Sequence, residues 1–252
     1  MTGKCDDPDA FSEERRSLIK GATFGIAAGL IGSSGTTGAQ ESSMSEVPAL
    51  AIGAFHDAHE MKSLPYEASS MNGLSTRIIE SHWSNNYGGS VRALNAVNGR
   101  LADALATPDT PAFIYNDLKR EHLMRTGSVV LHELYFDNLG GDGTAAGDTR
   151  SVIASSFGDF DTWETEYRKI AAGLGGGSGW VILGYNKHFQ CLENYWMADH
   201  MHSPATTVPL LVMDMYEHSY QMDFGAATAR YIDAFFANIN WDEVMARVEA
   251  IS

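Results

Sequence analysis

An aspartate and a histidine stand four residues apart directly after an apolar segment. Asp214 and His218 follow the run from Val208 to Met213, whose pattern is typical of a buried strand. If the chain bends into a helical turn there, both side chains can converge on one ion. The spacing alone is common by chance, so it indicates a metal site only in company with further ligands.

Two more histidines occupy apolar surroundings. His82 lies on the apolar stripe of a helical pattern, and His132 lies within Val129-Val-Leu-His-Glu-Leu-Tyr-Phe136. A buried imidazole without a partner is costly, and either histidine alone can be a hydrogen-bonded core residue. Together with Asp214 and His218 they predict three imidazoles and one carboxylate, a set that suits iron, manganese or zinc.

The charge balance limits the partners. The 252 residues include 17 basic and 32 acidic side chains, which gives a formal net charge of -15. Such a chain repels phosphate backbones, so nucleic acid is not an expected partner. The 44% of hydrophobic positions can form the core of one or two ordinary domains.

The first residues have the features of an export signal. Arg15-Arg16 and Lys20 precede a mildly apolar run from Gly21 to Gly32, which resembles a twin-arginine signal and is too short to span a membrane. We therefore expect residues 1–39 to be an export signal, residues 40–63 a linker or arm, and the processed protein to be periplasmic or secreted and free of the membrane. An N-terminal anchor or a plain tail is the alternative.

Cysteine usage excludes an internal disulfide after such processing. Cys5 lies in the predicted signal, and Cys191 is the other cysteine of the chain. Cys191 lies in an apolar strand pattern, which favours a core position over a nucleophile. Stability must then come from packing, metal binding or association.

Hydrophobic periodicity predicts helices through the first half of the chain. Apolar residues recur at helical spacing over 74–105, where Gly88-Gly89 predicts a break or kink. Further helical patterns cover residues 115–138, 149–157 and 160–172.

The pattern changes to that of strands near residue 179. Residues 179–185 and 188–195 predict a β-hairpin that turns at Asn186-Lys187, and residues 208–213 predict a third strand. Helices return after Glu217. This order predicts an α+β protein, with a helical hairpin domain over 64–140 and an α+β domain with a three-stranded antiparallel sheet over 141–252.

Several local motifs occur in the order found in one known family. From about Leu64 to Glu249 the chain resembles the iron/manganese superoxide dismutases. The segments that carry the resemblance are Leu64-Pro-Tyr66, Ser81-His82 through Leu94-Asn95, His132-Glu-Leu-Tyr-Phe136, Phe157-Gly-Asp-Phe160, Gly177-Ser-Gly-Trp180, Asp214-Met-Tyr-Glu-His-Ser-Tyr220 and Asn238-Ile-Asn-Trp-Asp-Glu-Val244.

The resemblance implies a site, a reaction and an assembly. His82 and His132 from the first domain, with Asp214 and His218 from the second, would hold one iron or manganese ion per chain. The ion would alternate between trivalent and divalent states and convert superoxide into dioxygen and hydrogen peroxide. Trp180 would form a pocket wall, and Glu217 would reach across the interface of a homodimer.

The pocket departs from the family pattern. The family's histidine and gateway tyrosine that follow the first ligand fall here on Asn86 and Ser90, while Tyr87 is out of register and at best a partial substitute. The tryptophan of the last ligand motif is Tyr216. The family's steering arginine is Ala227, which predicts slower capture of an anionic substrate.

The family's active-site glutamine is also missing. It comes either from the position of Ser128 or from the segment 196–202, which contains His200 and His202 instead. Either histidine could take over proton delivery, with His200 the first candidate, or both could be surface residues.

These departures leave two enzymatic hypotheses and one non-enzymatic one. The first is a superoxide dismutase. The second is a metal-dependent oxidoreductase or lyase on the same scaffold that accepts a larger, aromatic organic substrate. The third is a protein that binds metal without turnover.

Overall fold

The computed structural model describes Phe55 and residues 58–251. The predicted export signal, 1–39, and most of the predicted linker lie outside the described residues. Residues 58–63 have no regular secondary structure and lead as an arm into Leu64-Pro-Tyr66. Among the described helices, none is both long enough and apolar enough to cross a bilayer.

Three helices and one irregular turn build the first part of the structure. Helix α1 spans Thr76–Ser81, a π-helical turn spans His82–Tyr87, α2 spans Gly88–Ala106 and α3 spans Ala112–Asp137. Ser75 caps α1 by accepting a hydrogen bond from the Ile78 amide at 3.1 Å. Helices α2 and α3 pack against each other as a hairpin.

The predicted break at Gly88-Gly89 is wrong in position. The helix is irregular one turn earlier, at the π-helical turn, and resumes regular geometry at Gly88. A π-helical turn widens the hydrogen-bonding ring and is frequent at functional sites. Apolar periodicity cannot locate it, because the turn inserts into an otherwise continuous helical pattern.

The second part contains the sheet between two sets of helices. Helices α4 (Gly147–Phe157) and α5 (Phe160–Leu174) precede β1 (Trp180–Asn186), β2 (Cys191–Met197) and β3 (Thr207–Asp214). A 3-10 turn (Glu217–Ser219), α6 (Gln221–Phe224), α7 (Thr228–Phe236) and α8 (Trp241–Ile251) follow. The strands form an antiparallel sheet in the order β2-β1-β3. The predicted α+β class with a three-stranded antiparallel sheet is confirmed.

The predicted two-residue turn at Asn186-Lys187 is wrong. Asn186 is the last residue of β1 and pairs with Cys191, so the loop comprises residues 187–190. The Asn186 side-chain oxygen accepts hydrogen bonds from the amides of His188 and Phe189 at 3.0 and 3.1 Å. These bonds stabilise the longer loop, since an asparagine can bond to the backbone that follows it.

A buried asparagine fastens the helical hairpin to the sheet. Asn138 follows α3 and has no solvent exposure. Its side chain accepts from the Val212 amide at 2.9 Å and donates to the Leu210 carbonyl at 3.2 Å, on the edge of β3 that β1 leaves free. The end of α3 is thereby fixed against β3.

Replacing Asn138 by alanine tests this connection. The Asn138→Ala change leaves a buried backbone amide and carbonyl without these partners, so we expect the free energy of unfolding to fall by about 2–3 kcal/mol. Urea denaturation followed by circular dichroism measures it. Asn116 is exposed on α3, and Asn116→Ala should change stability by less than about 0.5 kcal/mol. Equal stability of the two variants would contradict the proposed role of Asn138.

Candidate metal centre

The structure brings the four predicted ligands together. One potential ligand atom from each of His82, His132, Asp214 and His218 lies within 4.8 Å of all the others. Oδ2 of Asp214 lies 3.1 Å from Nε2 of His82, 3.0 Å from Nε2 of His218 and 3.7 Å from Nε2 of His132. Three imidazole nitrogens therefore surround one carboxylate oxygen.

Each ligand is held at a fixed point of the fold. His82 is the first residue of the π-helical turn, His132 lies near the end of α3, and Asp214 ends β3. The 3-10 turn after the strand returns His218 to the same side. This is the bend that the spacing of Asp214 and His218 required.

The backbone of Asp214 is anchored as firmly as its side chain. Its carbonyl accepts hydrogen bonds from the hydroxyls of Tyr231, at 2.6 Å, and Ser219, at 3.0 Å. The other carboxylate oxygen, Oδ1, accepts from the Tyr216 amide at 2.7 Å. Oδ2 is thus the oxygen directed at the histidines.

The buried nitrogens of two histidines fit a metal ion. Nδ1 of His132 lies 2.7 Å from the Ser128 carbonyl, which fixes this nitrogen as the donor and leaves the lone pair on Nε2. Nε2 of His132 and Nε2 of His82 are buried and have no hydrogen-bond partner within the part of the chain that the structure describes. Such unpaired buried acceptors are costly unless they bind an ion.

Burial sets the charge of the cluster. Burial, together with the nearby His82, lowers the pKa of His132 to about 3, and burial also lowers the pKa of His82. Burial alone would raise the pKa of Asp214, but the neighbouring histidines, His218 first, hold it well below the ordinary carboxyl range. At neutral pH His82 and His132 are therefore neutral imidazoles and Asp214 is a carboxylate, which are the protonation states that bind a cation.

Three aromatic side chains form a wall beside the cluster. Trp180 is fully buried, and its ring meets the His132 ring edge-on at 5.2 Å between centroids. The Tyr216 ring stacks on the His218 ring at 5.3 Å and on the His200 ring at 4.8 Å between centroids. Burial, reinforced by the Asp214 charge, raises the pKa of Tyr216 to about 12, so its phenol is neutral.

The structure separates the two histidines of segment 196–202. Nδ1 of His200 accepts a hydrogen bond from Nε1 of Trp180 at 2.9 Å, and burial lowers the pKa of His200. His202 instead pairs with Asp199 at 2.8 Å, and its side chain is 57% exposed. His200 therefore belongs to the wall of the site, and His202 lies on the surface.

The backbone of His200 lies against α3 at a glycine. A methyl group at Gly127 would come within 1.9 Å of the His200 carbonyl oxygen. Since no other residue permits that approach, Gly127 allows the loop between β2 and β3 to deliver His200 to the site. Gly127 lies within a helical pattern, and only its contact with His200 reveals a role, so the sequence alone does not identify it.

Small polar residues lie next to the ligands. Ser90 is buried, and its hydroxyl lies 2.7 Å from that of Ser128. The Ser128 hydroxyl lies 3.3 Å from Nδ1 of His132. The two serines thus form a short chain of polar contacts that ends on the ligand His132. Asn86 is half-buried and lies in the same π-helical turn as His82.

The hydroxyl of Tyr87 points away from the cluster. The hydroxyl donates to Glu133 at 2.9 Å and accepts from the Lys62 amide at 2.8 Å. Its ring approaches the site and is stacked at 6.4 Å from His132. Sequence reasoning missed the contact residue Glu133, although a carboxylate inside an apolar ligand segment was a signal for it.

Comparison with known proteins agrees with this geometry. The family described as iron/manganese superoxide dismutases, C-terminal domain, matches residues 145–247. A protein named superoxide dismutase [Fe] from Cupriavidus metallidurans is 46% identical over 192 residues, which cover 76% of this chain and 97% of the relative. The chain belongs to the iron/manganese superoxide dismutase family.

Other relatives carry either metal in their names. A superoxide dismutase [Fe] from Aquifex aeolicus is 34% identical over 186 residues, covering 71% of this chain and 86% of the relative. A superoxide dismutase [Mn] from Mycolicibacterium fortuitum is 32% identical over 181 residues, covering 70% of this chain and 86% of the relative. Membership in the family supports one iron or manganese ion at the cluster of His82, His132, Asp214 and His218 in this chain.

Removing one ligand tests the metal centre. His132→Ala deletes a buried donor, so we expect metal content per chain to fall at least about tenfold, because even losing a partner of a ligand costs about 10–100-fold in affinity. Elemental analysis of the purified protein measures it. His188 is exposed in the β1–β2 loop, and His188→Ala should keep the wild-type content. Full metal content in His132→Ala would rule this ligand out.

Proposed function

We propose that this family member is a superoxide dismutase that uses the cluster of His82, His132, Asp214 and His218. The observation that carries the proposal is the pair of buried, unpaired Nε2 atoms beside a buried carboxylate. Iron or manganese, when bound there, supplies one-electron oxidation and reduction of superoxide. Both metals accept imidazole and carboxylate ligands.

Backbone groups of the chain fix the orientations of the ligands His132 and Asp214. The Ser128 carbonyl keeps the proton of His132 on Nδ1, and the Tyr216 amide holds Oδ1 of Asp214. Such partners fix the direction in which a ligand atom points and raise the basicity of an imidazole. These partners therefore keep Nε2 of His132 and Oδ2 of Asp214 directed at the same point.

His200 presents a proton donor beside the site. Because its Nδ1 accepts the Trp180 indole N–H, a neutral His200 carries its own proton on Nε2. Its stacking on Tyr216 fixes the ring plane. We assign His200 the role of holding a proton near the cluster, in place of the family's glutamine, with Trp180 and Tyr216 as the residues that orient it.

The hypothesis of a larger aromatic substrate is not favoured. The rings of Trp180, His200 and Tyr216 are packed on one another in the space next to His132 and His218. The relatives described above are named superoxide dismutases. Superoxide, a diatomic anion, fits both observations.

The dismutase proposal is tested by superoxide decay after a pulse of the radical. Wild-type protein should accelerate decay, and His82→Ala should abolish the effect. We expect His200→Ala to lower the rate about 10–100-fold, as the loss of a group that positions or protonates the site does. The matched variant His202→Ala should retain the wild-type rate. A fully metallated wild-type protein without activity would refute the function; equal rates in both variants would refute the role of His200.

The second-domain motif also supports a homodimer. Glu217 is exposed beside the ligand His218, and in the resemblance its position reaches the ligand of the other subunit. We propose that the Glu217 carboxylate accepts a hydrogen bond from His218 of the partner subunit. Sedimentation should then give a dimer for the wild type and a shift toward monomer for Glu217→Ala. Glu243 is half-buried on α8, and Glu243→Gln is the control, with the dimer preserved.

We also propose export through the twin-arginine route, with the processed protein in the periplasm or secreted. The support is the sequence pattern of Arg15-Arg16, Lys20 and the apolar run that follows. Replacing Arg15 and Arg16 by lysine should retain the full-length chain in the cytoplasm, as cell fractionation and immunoblotting would show. Arg77→Lys is the matched control; unchanged export of the double variant would contradict the route.

A further inference from the structure

The arm before the first helix is tied to the helical hairpin at several points. The His59 amide donates to the Asn95 side chain at 2.8 Å, and the same asparagine donates to the His59 carbonyl at 2.9 Å. The Lys62 carbonyl accepts from the Trp83 indole at 3.0 Å. Gly88 lies against Met61, where an added methyl would come within 3.0 Å of the sulfur. The arm therefore has a fixed position against the helical hairpin although it has no regular secondary structure.

The arm meets the ligand helix at Glu133, the residue after the ligand His132. The Glu133 side chain is only 11% exposed. One carboxylate oxygen lies 2.5 Å from Nε2 of His59, and the other lies 2.9 Å from Nζ of Lys62. A carboxylate so far removed from water is costly to bury without such partners. Two of its donors come from the arm.

The third donor to Glu133 is Tyr87, which links the arm to the metal centre. Its hydroxyl donates to Glu133 at 2.9 Å and accepts the Lys62 amide at 2.8 Å. Its ring is 1% exposed and lies nearly parallel to the His132 ring, at 28° and 6.4 Å between centroids. The hydroxyl of Tyr87 is thus bonded to the arm and to Glu133, while its ring lies against the ring of the ligand His132.

We propose that residues 58–64 act as a clamp in which His59 and Lys62 position the ligand His132 through Glu133 and Tyr87. This inference deepens the proposed function, since it concerns the same metal centre. His59 and Lys62 touch neither substrate nor ion and are positioning residues. Through them, the geometry of the centre depends on a segment that lies outside both helices of the hairpin.

The chain offers variants that release the clamp without disturbing the core. The side chains of His59 and Lys62 are 36% and 58% exposed, so the double variant His59→Ala/Lys62→Met removes both donors at little cost in packing. Tyr87→Phe removes only the hydroxyl and keeps the ring. Lys62→Arg keeps the positive charge and serves as the conservative variant. Lys169→Met, at an exposed position of α5, is the control for loss of a surface lysine.

The test measures the metal and not the turnover of superoxide. Each metal-loaded variant is challenged with excess chelator, and metal release is followed together with the electron paramagnetic resonance spectrum of the bound ion. We expect release from the double variant and from Tyr87→Phe to be about 10–100-fold faster, with an altered spectrum. Lys62→Arg and Lys169→Met should match the wild type.

The outcomes separate a positioning role from general stability. A changed spectrum and faster release at an unchanged urea midpoint support the clamp. A wild-type spectrum and release rate in the double variant overturn it, whether or not the protein dismutates superoxide. If the double variant unfolds, Tyr87→Phe decides: wild-type metal release there overturns the proposal, and faster release supports it.

Discussion

The structure depends on one buried negative charge. Asp214 has no solvent exposure, and its Oδ2 atom is surrounded by the Nε2 atoms of three histidines. A carboxylate in such a place is destabilising unless a positive charge lies close to it. Burial keeps His82 and His132 neutral, and of the three histidines His218 contributes most to holding Asp214 ionised. The buried carboxylate therefore requires its neighbours, and any cation bound there, to be held at short distance.

This requirement explains why so much of the chain serves to connect two parts. The ligands come from the π-helical turn, α3, β3 and the 3-10 turn, which belong to opposite halves of the structure. Asn138 binds the free edge of β3, and Asn238 bonds both the amide and the carbonyl of Asn72 at 2.7 Å. Each bond resists separation of the halves and so helps to fix the distances between the ligands.

Much of this could be predicted from sequence because it is periodic or local. The helices and strands follow from apolar spacing, and the four ligands follow from histidines in apolar segments together with a family-like motif. The loop at 187–190 was missed because the turn does not depend on the pair Asn186-Lys187 alone but on the Asn186 side chain, which bonds the amides of His188 and Phe189. The π-helical turn was missed because it leaves the apolar stripe intact. Gly127 was missed because its role exists only in a contact with a distant segment. Glu133 offered a signal, as a carboxylate in an apolar segment, but its partner Lys62 comes from a distant part of the chain.

The wall beside the ligands is assembled from residues of distant segments. Ser90 and Ser128 form a short hydroxyl pair that ends on His132. His200 can reach the wall because α3 has no side chain at Gly127. Tyr216 provides the flat face on which His200 stacks. The ligands thus lie against a hydrogen-bonded and stacked wall to which α2, α3, the loop between β2 and β3 and the residues after β3 all contribute.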